Sequence, residues 1–353
     1  MNLHLKFNIV FLVGFTCHTM AQEFPGHNWK YNANPEKGGW QTGKIAQLKK
    51  YLIDSTVITG FMIIQNGEII FEYGDTRENS YIASCRKSVL AMLYGSHIKS
   101  GEIKLKETIR NLNIDDIGGL LPQEKDATVE DLLSARSGVY HPASYPGDYL
   151  DQAPKRGTVK HGSYWLYSNW DFNLAGYIFE EKTGQNIYDE VEKVLAKPLD
   201  MEDWDRSLQH KEGDTTISKY LAYPMWFSTR DMARIGLLML NHGRWGNKQI
   251  IDSAWTEEMV KPRTGYQEVN KNVTTFRKMN YSLGYGYLWW IWQNSGDSKF
   301  KGAYSALGNM GQSISIFPAI NTVIVYKTKA AYERINSLKQ RFDVLTIALN
   351  AFH

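Results

Sequence analysis

Ser84 and Lys87 stand three residues apart at the start of an apolar segment, SYIASCRKSVLAMLYG, which spans residues 80–95. Apolar side chains recur at helical spacing after Lys87, which predicts a buried helix beginning near Ser84. Two interpretations of the pair are open. In one, Ser84 only caps the helix and Lys87 faces solvent. In the other, Ser84 is a nucleophile, and Lys87, one turn further on, is the base that takes its proton.

Context distinguishes this pair from two others, because Ser-x-x-Lys also occurs at residues 96–99 and 298–301. The copy at 96–99 falls in the polar last turn of the predicted helix. The copy at 298–301 falls in a charged loop that has no helix to align the two side chains. Only Ser84 opens a long apolar helix, where its N–H lies at the positive end of the helix dipole. Burial disfavours the charged form of lysine, as a lysine base near neutral pH requires.

A second element is expected to bring a hydroxyl near Lys87. The segment YWLYSNWDF (residues 164–172) contains the only Tyr-x-Asn of the chain, Tyr167-Ser168-Asn169. We expect Tyr167 to relay protons and the Asn169 amide to orient Lys87 and the substrate. The alternative is a tyrosine in an aromatic loop with no part in chemistry.

A third element is expected to be an edge strand whose N–H completes an oxyanion hole. Two literal matches to Lys/Arg-Thr-Gly, at 182–184 and 263–265, are rejected, because the first ends a helix and polar residues follow the second. The segment ALGNMGQSISIFP (residues 306–318) fits better. Its glycines allow close approach to the backbone, and a strand pattern follows them.

The order of the surrounding elements predicts an α+β fold. Two apolar runs around Asn66-Gly67 indicate a β-hairpin, and helical signals dominate from about 105 to 260. Strand character returns at 284–292, 311–318 and 322–328, and an amphipathic helix is predicted over 332–352. We therefore expect an antiparallel sheet completed by both chain ends, with residues 105–260 as an inserted helical subdomain.

The composition is that of an ordinary globular protein: 353 residues, 43% hydrophobic and 22% charged. A net charge of +3 is too close to neutral to indicate a nucleic acid or an anionic membrane as partner. The nine histidines show no ligand-like pairing, and no cofactor-binding motif is present. We expect a small-molecule substrate, without metal or cofactor.

Residues 1–21, MNLHLKFNIVFLVGFTCHTMA, have the order of a secretory signal peptide. A lysine precedes an apolar run at 7–15, and small residues precede Gln22. The apolar run is too short to span a bilayer. We expect a mature domain of residues 22–353, periplasmic or secreted, without a stable membrane anchor.

These motifs resemble those of the serine β-lactamase and DD-peptidase superfamily, above all its class C-like serine hydrolases, which include esterases and 6-aminohexanoate-dimer hydrolases. The segments DLLSARSGV, STRDMARIGLLMLNHGRWGNKQIIDSAW and GYGYLWW also look like that branch. The resemblance covers nearly all of the mature chain. It implies a five-stranded antiparallel sheet flanked by helices, plus a helical subdomain, with the site between them.

The resemblance also implies roles for single residues. Ser84 resembles the acylated nucleophile, Lys87 its base, Tyr167 the tyrosine that shares proton transfer, and Asn169 the asparagine of that motif. The N–H groups of Ser84 and Gln312 would hold the oxyanion.

The third motif of this family usually reads Lys or His, then Thr or Ser, then Gly. Here Asn309-Met310-Gly311 takes its place, without cation or hydroxyl. This departure predicts weak binding of a substrate carboxylate. Lys299 and Lys301 lie upstream and would restore a positive charge if their loop folded over the site.

The expected function is therefore that of an exported serine hydrolase that cleaves an ester or amide through an acyl-enzyme on Ser84. One alternative is β-lactamase, D-Ala-D-Ala carboxypeptidase or penicillin-binding activity. A second is a non-catalytic sensor or binding domain of the same fold. Retention of Ser84, Lys87, Tyr167 and Asn169 favours an enzyme, because a binding module has no need of the base.

Overall fold

The structure, a computed structural model, describes residues 23–279, 281–329 and 334–353. The predicted signal peptide at 1–21 lies outside these residues. No helix within the described ranges is long and apolar enough to cross a membrane.

The main sheet has seven strands in the order β2-β1-β11-β10-β9-β8-β7, and every neighbouring pair is antiparallel. Two small two-stranded sheets pair β3 with β4 and β5 with β6. The strands are β1 Gly60–Gln65, β2 Glu68–Gly74, β3 Ser80–Tyr81, β4 Trp226–Phe227, β5 Arg244–Trp245, β6 Lys248–Gln249, β7 Leu283–Tyr285, β8 Trp290–Trp292, β9 Tyr304–Gly308, β10 Gln312–Phe317 and β11 Thr322–Lys327.

Ten α-helices accompany these strands in the described part of the chain. They are α1 Thr42–Ser55, α2 Cys85–Lys99, α3 Val129–Leu133, α4 Asn169–Thr183, α5 Ile187–Val191, α6 Thr229–Leu240, α7 Ser253–Val260, α8 Tyr266–Asn272, α9 Thr274–Met279 and α10 Leu338–Asn350. The closing helix, predicted from residue 332, begins at Leu338 after a capping box made by Ser337 and Gln340. Residues 332 and 333 of that prediction lie outside the described ranges.

The sheet is built from both chain ends, which confirms the predicted α+β fold. The hairpin of β1 and β2 turns at Asn66 and Gly67, whose φ angles of 53° and 83° suit a tight hairpin turn. The expected count of five strands is wrong. The run at 284–292 is not one strand, because it reverses at Leu288 (φ 60°) and gives β7 and β8. The short strand β9 also has no clear strand pattern in the sequence.

Helices cover both faces of the sheet. Helix α6 packs on β1, β10 and β11, and a Cβ placed on Gly236 would come within 2.4 Å of Val323. Tyr326 points to the opposite face, where its hydroxyl donates to the backbone carbonyl of Arg341 in α10. The inserted helical subdomain at 105–260 stays a prediction; α6 falls in that range but packs on the sheet.

Candidate active site

The turn before α2 presents Ser84 in an unusual backbone setting. Ala83 has a φ of 49°, a left-handed conformation that costs free energy in a residue other than glycine. Ser84 occupies the N-cap position, yet its side chain makes no capping hydrogen bond. The hydroxyl therefore does not serve as a helix cap, and it is directed to Lys87 instead.

Lys87 is the centre of a buried polar cluster. Its Nζ lies 3.0 Å from Ser84 Oγ, 2.7 Å from Tyr167 Oη and 2.6 Å from Asn169 Oδ1. The lysine is only 2% exposed. The structure thus brings together the four residues that the sequence predicted from two separate segments of the chain.

Burial sets the protonation states in this cluster. It lowers the pKa of Lys87 well below its usual range, and the neighbouring Arg86 lowers this pKa further. Burial also raises the pKa of Tyr167. A neutral amine has two N–H groups and one lone pair. In that form the two N–H groups can donate to Tyr167 and Asn169, and the lone pair can accept the proton of the Ser84 hydroxyl, 3.0 Å away.

Asn169, the first residue of α4, has both ends of its amide engaged. Its Nδ2 donates to the carbonyls of Tyr145 and Pro146, at 3.3 and 3.1 Å, while Oδ1 accepts from Lys87. Its backbone N–H donates to the Asp148 carboxylate. Asn169 therefore fixes Lys87 to the loop at 145–148, and its side chain has no remaining donor to orient a substrate.

Aromatic rings enclose this cluster on one side. Tyr167 stacks on Trp290 at 5.6 Å between ring centres, and Phe276 stacks on the same indole at 5.0 Å. Tyr149 meets both Tyr167 and Phe276 edge to face. Tyr149 and Phe276 carry no local motif, and only the fold brings them to the site. The rings form an apolar wall beside the serine.

The end of β9 packs directly against the turn that carries Ser84. A Cβ on Gly308 would lie 2.8 Å from the Ile82 carbonyl and 3.1 Å from the Ala83 Cβ, so only glycine fits there. Strand β8 pairs with Tyr304 and Ser305 only. Residues 306–308 are therefore an open edge of β9 beside the turn that carries Ser84.

The assignment of the Gln312 N–H to an oxyanion hole requires correction. Trp292 N–H donates to the Ala303 carbonyl, so odd-numbered residues of β9 face β8 and even-numbered ones face β10. Gly308 is paired with Gln312, whose N–H consequently points at β9. The Gln312 side chain is also engaged, with the carbonyls of Tyr81 and Thr328.

Asn309 and Gly311 belong to the tight turn between β9 and β10. Gly311 has a φ of 107°, and a Cβ there would lie 2.9 Å from Asn336 Nδ2. Its role is in this turn, and Gly308, not Gly311, allows the close backbone approach. Asn309 Oδ1 accepts from Arg341 Nη2 at 3.0 Å.

Arg341 supplies a cation beside the third motif, which the sequence comparison with the family did not anticipate. It comes from α10, and no local pattern links it to Asn309. Lys299 instead pairs with Asp297 and lines a surface cleft with Asn350, at the other end of α10. Lys299 therefore does not take the place of the missing cation.

The other Ser-x-x-Lys copies lack this geometry. Ser96 and Ser298 are exposed, and Lys99 forms a salt bridge with Asp252 at 2.5 Å. Cys85, next to Ser84, is fully buried, and burial raises the pKa of its thiol. The thiol donates to the backbone carbonyl of Ala306 in β9 and not to the Lys87 cluster.

The fold is that of the β-lactamases and penicillin-binding proteins. The chain is similar to a protein from Bacillus anthracis provisionally described as a 6-aminohexanoate-dimer hydrolase, with 22% identity, a TM-score of 0.64 and coverage of 85% of this chain and 80% of that one. It is also similar to EstCE1, a hydrolase with promiscuous acyltransferase activity, with 15% identity, a TM-score of 0.63 and coverage of 90% and 100%.

The sequence assigns the family. The Beta-lactamase family model matches residues 55–345, most of the chain, so the protein belongs to that family and is a serine hydrolase of this fold. An uncharacterized protein of Alkalihalophilus pseudofirmus is 23% identical over 309 residues, covering 78% of this chain and 84% of the relative.

Proposed function

We propose that the protein is an exported hydrolase that cleaves an ester or amide through an acyl-enzyme on Ser84. The observation that carries this proposal is the placement of the Lys87 amine, 3.0 Å from Ser84 Oγ and 2.7 Å from Tyr167 Oη in a buried cluster. Nucleophile, base and proton relay are then within hydrogen-bond reach of one another.

In the acylation step, Ser84 Oγ attacks the substrate carbonyl carbon and its proton passes to the Lys87 lone pair. The resulting ammonium returns a proton through the Tyr167 hydroxyl to the departing alkoxide or amine. Water then attacks the acyl carbon and gives its proton to Lys87 by way of Tyr167. The bond between the acyl carbon and Ser84 Oγ breaks, Lys87 returns a proton to Ser84 Oγ, and the acid leaves. Each proton taken up by Lys87 is given back, so the enzyme returns to its starting state.

Two backbone N–H groups are proposed to hold the oxyanion. The first is that of Ser84 at the start of α2, and the second is that of Asn309, which follows the open edge of β9. Asn309 has the same parity as Ser305 and Ala303, whose backbone groups face β8. The close contact of Gly308 with the Ile82–Ala83 turn supports this pairing.

A second candidate function is favoured by one observation. Arg341 contacts Asn309 in the third motif, and a guanidinium is well suited to bind a carboxylate. A substrate with a carboxylate near the scissile bond, such as a β-lactam or a D-Ala-D-Ala peptide, would use this contact. Because the third motif itself has neither cation nor hydroxyl, small uncharged esters remain the first expectation.

The test compares p-nitrophenyl butyrate with a chromogenic cephalosporin on the wild-type protein, Ser84→Ala and the matched control Ser96→Ala. We expect ester hydrolysis by wild type and Ser96→Ala but none by Ser84→Ala. The kcat/KM for the cephalosporin should be lower than that for p-nitrophenyl butyrate by ~30- to 1000-fold, equivalent to about 2–4 kcal/mol of transition-state binding. A cephalosporin kcat/KM near ~10⁶ M⁻¹s⁻¹ would favour the second candidate, and turnover of neither substrate would favour a binding domain.

The proposal of export rests on the sequence of residues 1–21, a basic residue, an apolar run and small residues in that order. The same sequence supports a periplasmic or secreted location.

A further inference from the structure

Arg86 is a buried arginine next to the proposed base, and it has few partners. It is 2% exposed, and its guanidinium lies 4.3 Å from the centre of the Tyr223 ring. Nη2 is 3.5 Å from Asn173 Oδ1, while Nε and Nη1 have no hydrogen-bond partner. Among the salt bridges of the described residues, none includes Arg86.

A second buried arginine shows how this chain accommodates such a charge elsewhere. Arg234 is fully buried, pairs with Glu202 at 3.0 Å, and donates to the carbonyls of Leu199 and Gly26. Arginine stays protonated in proteins, and a buried charge without a counter-ion is costly. Arg86 therefore places a positive charge without a salt-bridge partner in the core, one residue from Lys87.

The groups around Lys87 determine what this charge does. Arg86 and Lys87 contact Asn173 and Asn169, one turn apart on α4, and Cys85 precedes both on α2. Asp148 lies in the loop before α4 and Tyr167 just before that helix, with Tyr149 and Tyr285 against the Tyr167 ring. Burial raises the pKa of the cysteine and of the three tyrosines, which keeps them neutral. Arg86 thus disfavours a positive charge on the amine, and the Asp148 carboxylate opposes this effect.

We propose that Arg86 is a positioning residue whose buried positive charge keeps the Lys87 amine in its unprotonated, base-competent form at neutral pH. This inference rests on the proposed function of Lys87 as the base for Ser84. Two opposed charges then set the working pH of the nucleophile: Arg86 extends activity to lower pH, and Asp148 limits that extension.

The test is the pH dependence of kcat/KM for p-nitrophenyl butyrate in wild type, Arg86→Gln, Arg86→Met and Arg86→Lys. Removal of the positive neighbour makes protonation of Lys87 easier, so the acidic limb should move to higher pH. We expect the acidic limb to move by about one to two pH units in the glutamine and methionine variants, because the repulsion between two positive charges in a protein interior is lost. Arg86→Lys should return the limb toward wild type.

The opposite charge gives an independent variant in case Arg86 substitutions do not fold. Asp148→Asn keeps an acceptor for the Asn169 N–H but removes the carboxylate, so its acidic limb should move to lower pH. A purely structural role would lower the rate equally at all pH values. If folded Arg86→Gln and Asp148→Asn proteins have the same acidic limb of kcat/KM as the wild type, the inference is overturned.

A measurement without turnover separates this inference from the proposed function. The ¹³Cε resonance of Lys87, identified by its loss in Lys87→Ala, is titrated in the Ser84→Ala background with and without Arg86→Gln. A higher midpoint in the double variant supports the inference even if no ester is hydrolysed. Equal midpoints contradict it even if Ser84 proves to be the nucleophile.

Discussion

Replacing Asn169 with aspartate changes the charge beside Lys87 and almost nothing of the shape. Asn169 Oδ1 lies 2.6 Å from Lys87 Nζ, and opposite unit charges at that separation attract by about 6 kcal/mol at an effective dielectric constant of about 20. Burial of the new carboxylate offsets most of this attraction. If about one third remains, the ammonium gains ~2 kcal/mol, and the pKa of Lys87 rises by about 1.5 units.

The assay is kcat/KM for p-nitrophenyl butyrate from about pH 6 to 10. The raised pKa leaves less unprotonated Lys87, so the acidic limb of Asn169→Asp should move to higher pH by about 1.5 units, with a loss of up to ~30-fold at pH values below both pKa values that is recovered as the pH rises. Asn169→Ala is the control: it removes the amide contacts to Lys87, Tyr145 and Pro146 without adding charge, and its loss should not be recovered at high pH. An Asn169→Asp protein that loses the same factor at every pH, or whose acidic limb does not move, would refute a neutral Lys87 base.

Three further predictions concern Gly308 at the end of β9, Arg341 beside the third motif, and the predicted signal peptide at 1–21. Gly308→Val should lower kcat by about 10- to 100-fold with an unchanged circular dichroism spectrum, because its Cβ would lie 2.8 Å from the Ile82 carbonyl and displace the turn before Ser84; full activity would contradict the β9 contact. Arg341→Ala should raise KM about tenfold for a carboxylate-bearing ester and less than twofold for an uncharged one, whereas equal changes would remove Arg341 from substrate binding. N-terminal sequencing of exported protein should begin near Gln22, and an intact leader would end the export proposal.

The two motifs that meet at Lys87 were predictable because each is local. Ser84 and Lys87 lie within one turn at the start of α2, and Tyr167 and Asn169 lie at and just before the start of α4. Helix periodicity and spacing carry that information. The hydrogen bonds of Lys87 to Tyr167 and Asn169 then join two segments that the sequence had identified separately.

The third element was less predictable, because it depends on strand pairing. The β9–β10 turn has glycines at 308 and 311. Only the pairing of β9 with β10 shows that Gly308 is the one against the turn before Ser84. A shift of one residue reverses which neighbour an N–H faces. This is why the sequence selected Gln312, whereas the pairing favours Asn309.

Long-range contacts account for the rest. Arg341 reaches Asn309 from α10, and Phe276 reaches Trp290 from α9. Nothing in the spacing of these residues indicates such contacts. The strand count differed for two local reasons: Leu288 takes a left-handed conformation that an apolar run gives no reason to expect, and β9 has no clear strand pattern.

The most direct test of the central claim is the covalent labelling of the protein with a fluorophosphonate, followed by peptide mass spectrometry. We predict a single adduct on Ser84 in the wild-type protein and no adduct in Ser84→Ala. Labelling should be slowed by about 10²- to 10⁴-fold in Lys87→Ala. An adduct on another serine, or undiminished labelling of the Ser84→Ala protein, would contradict it.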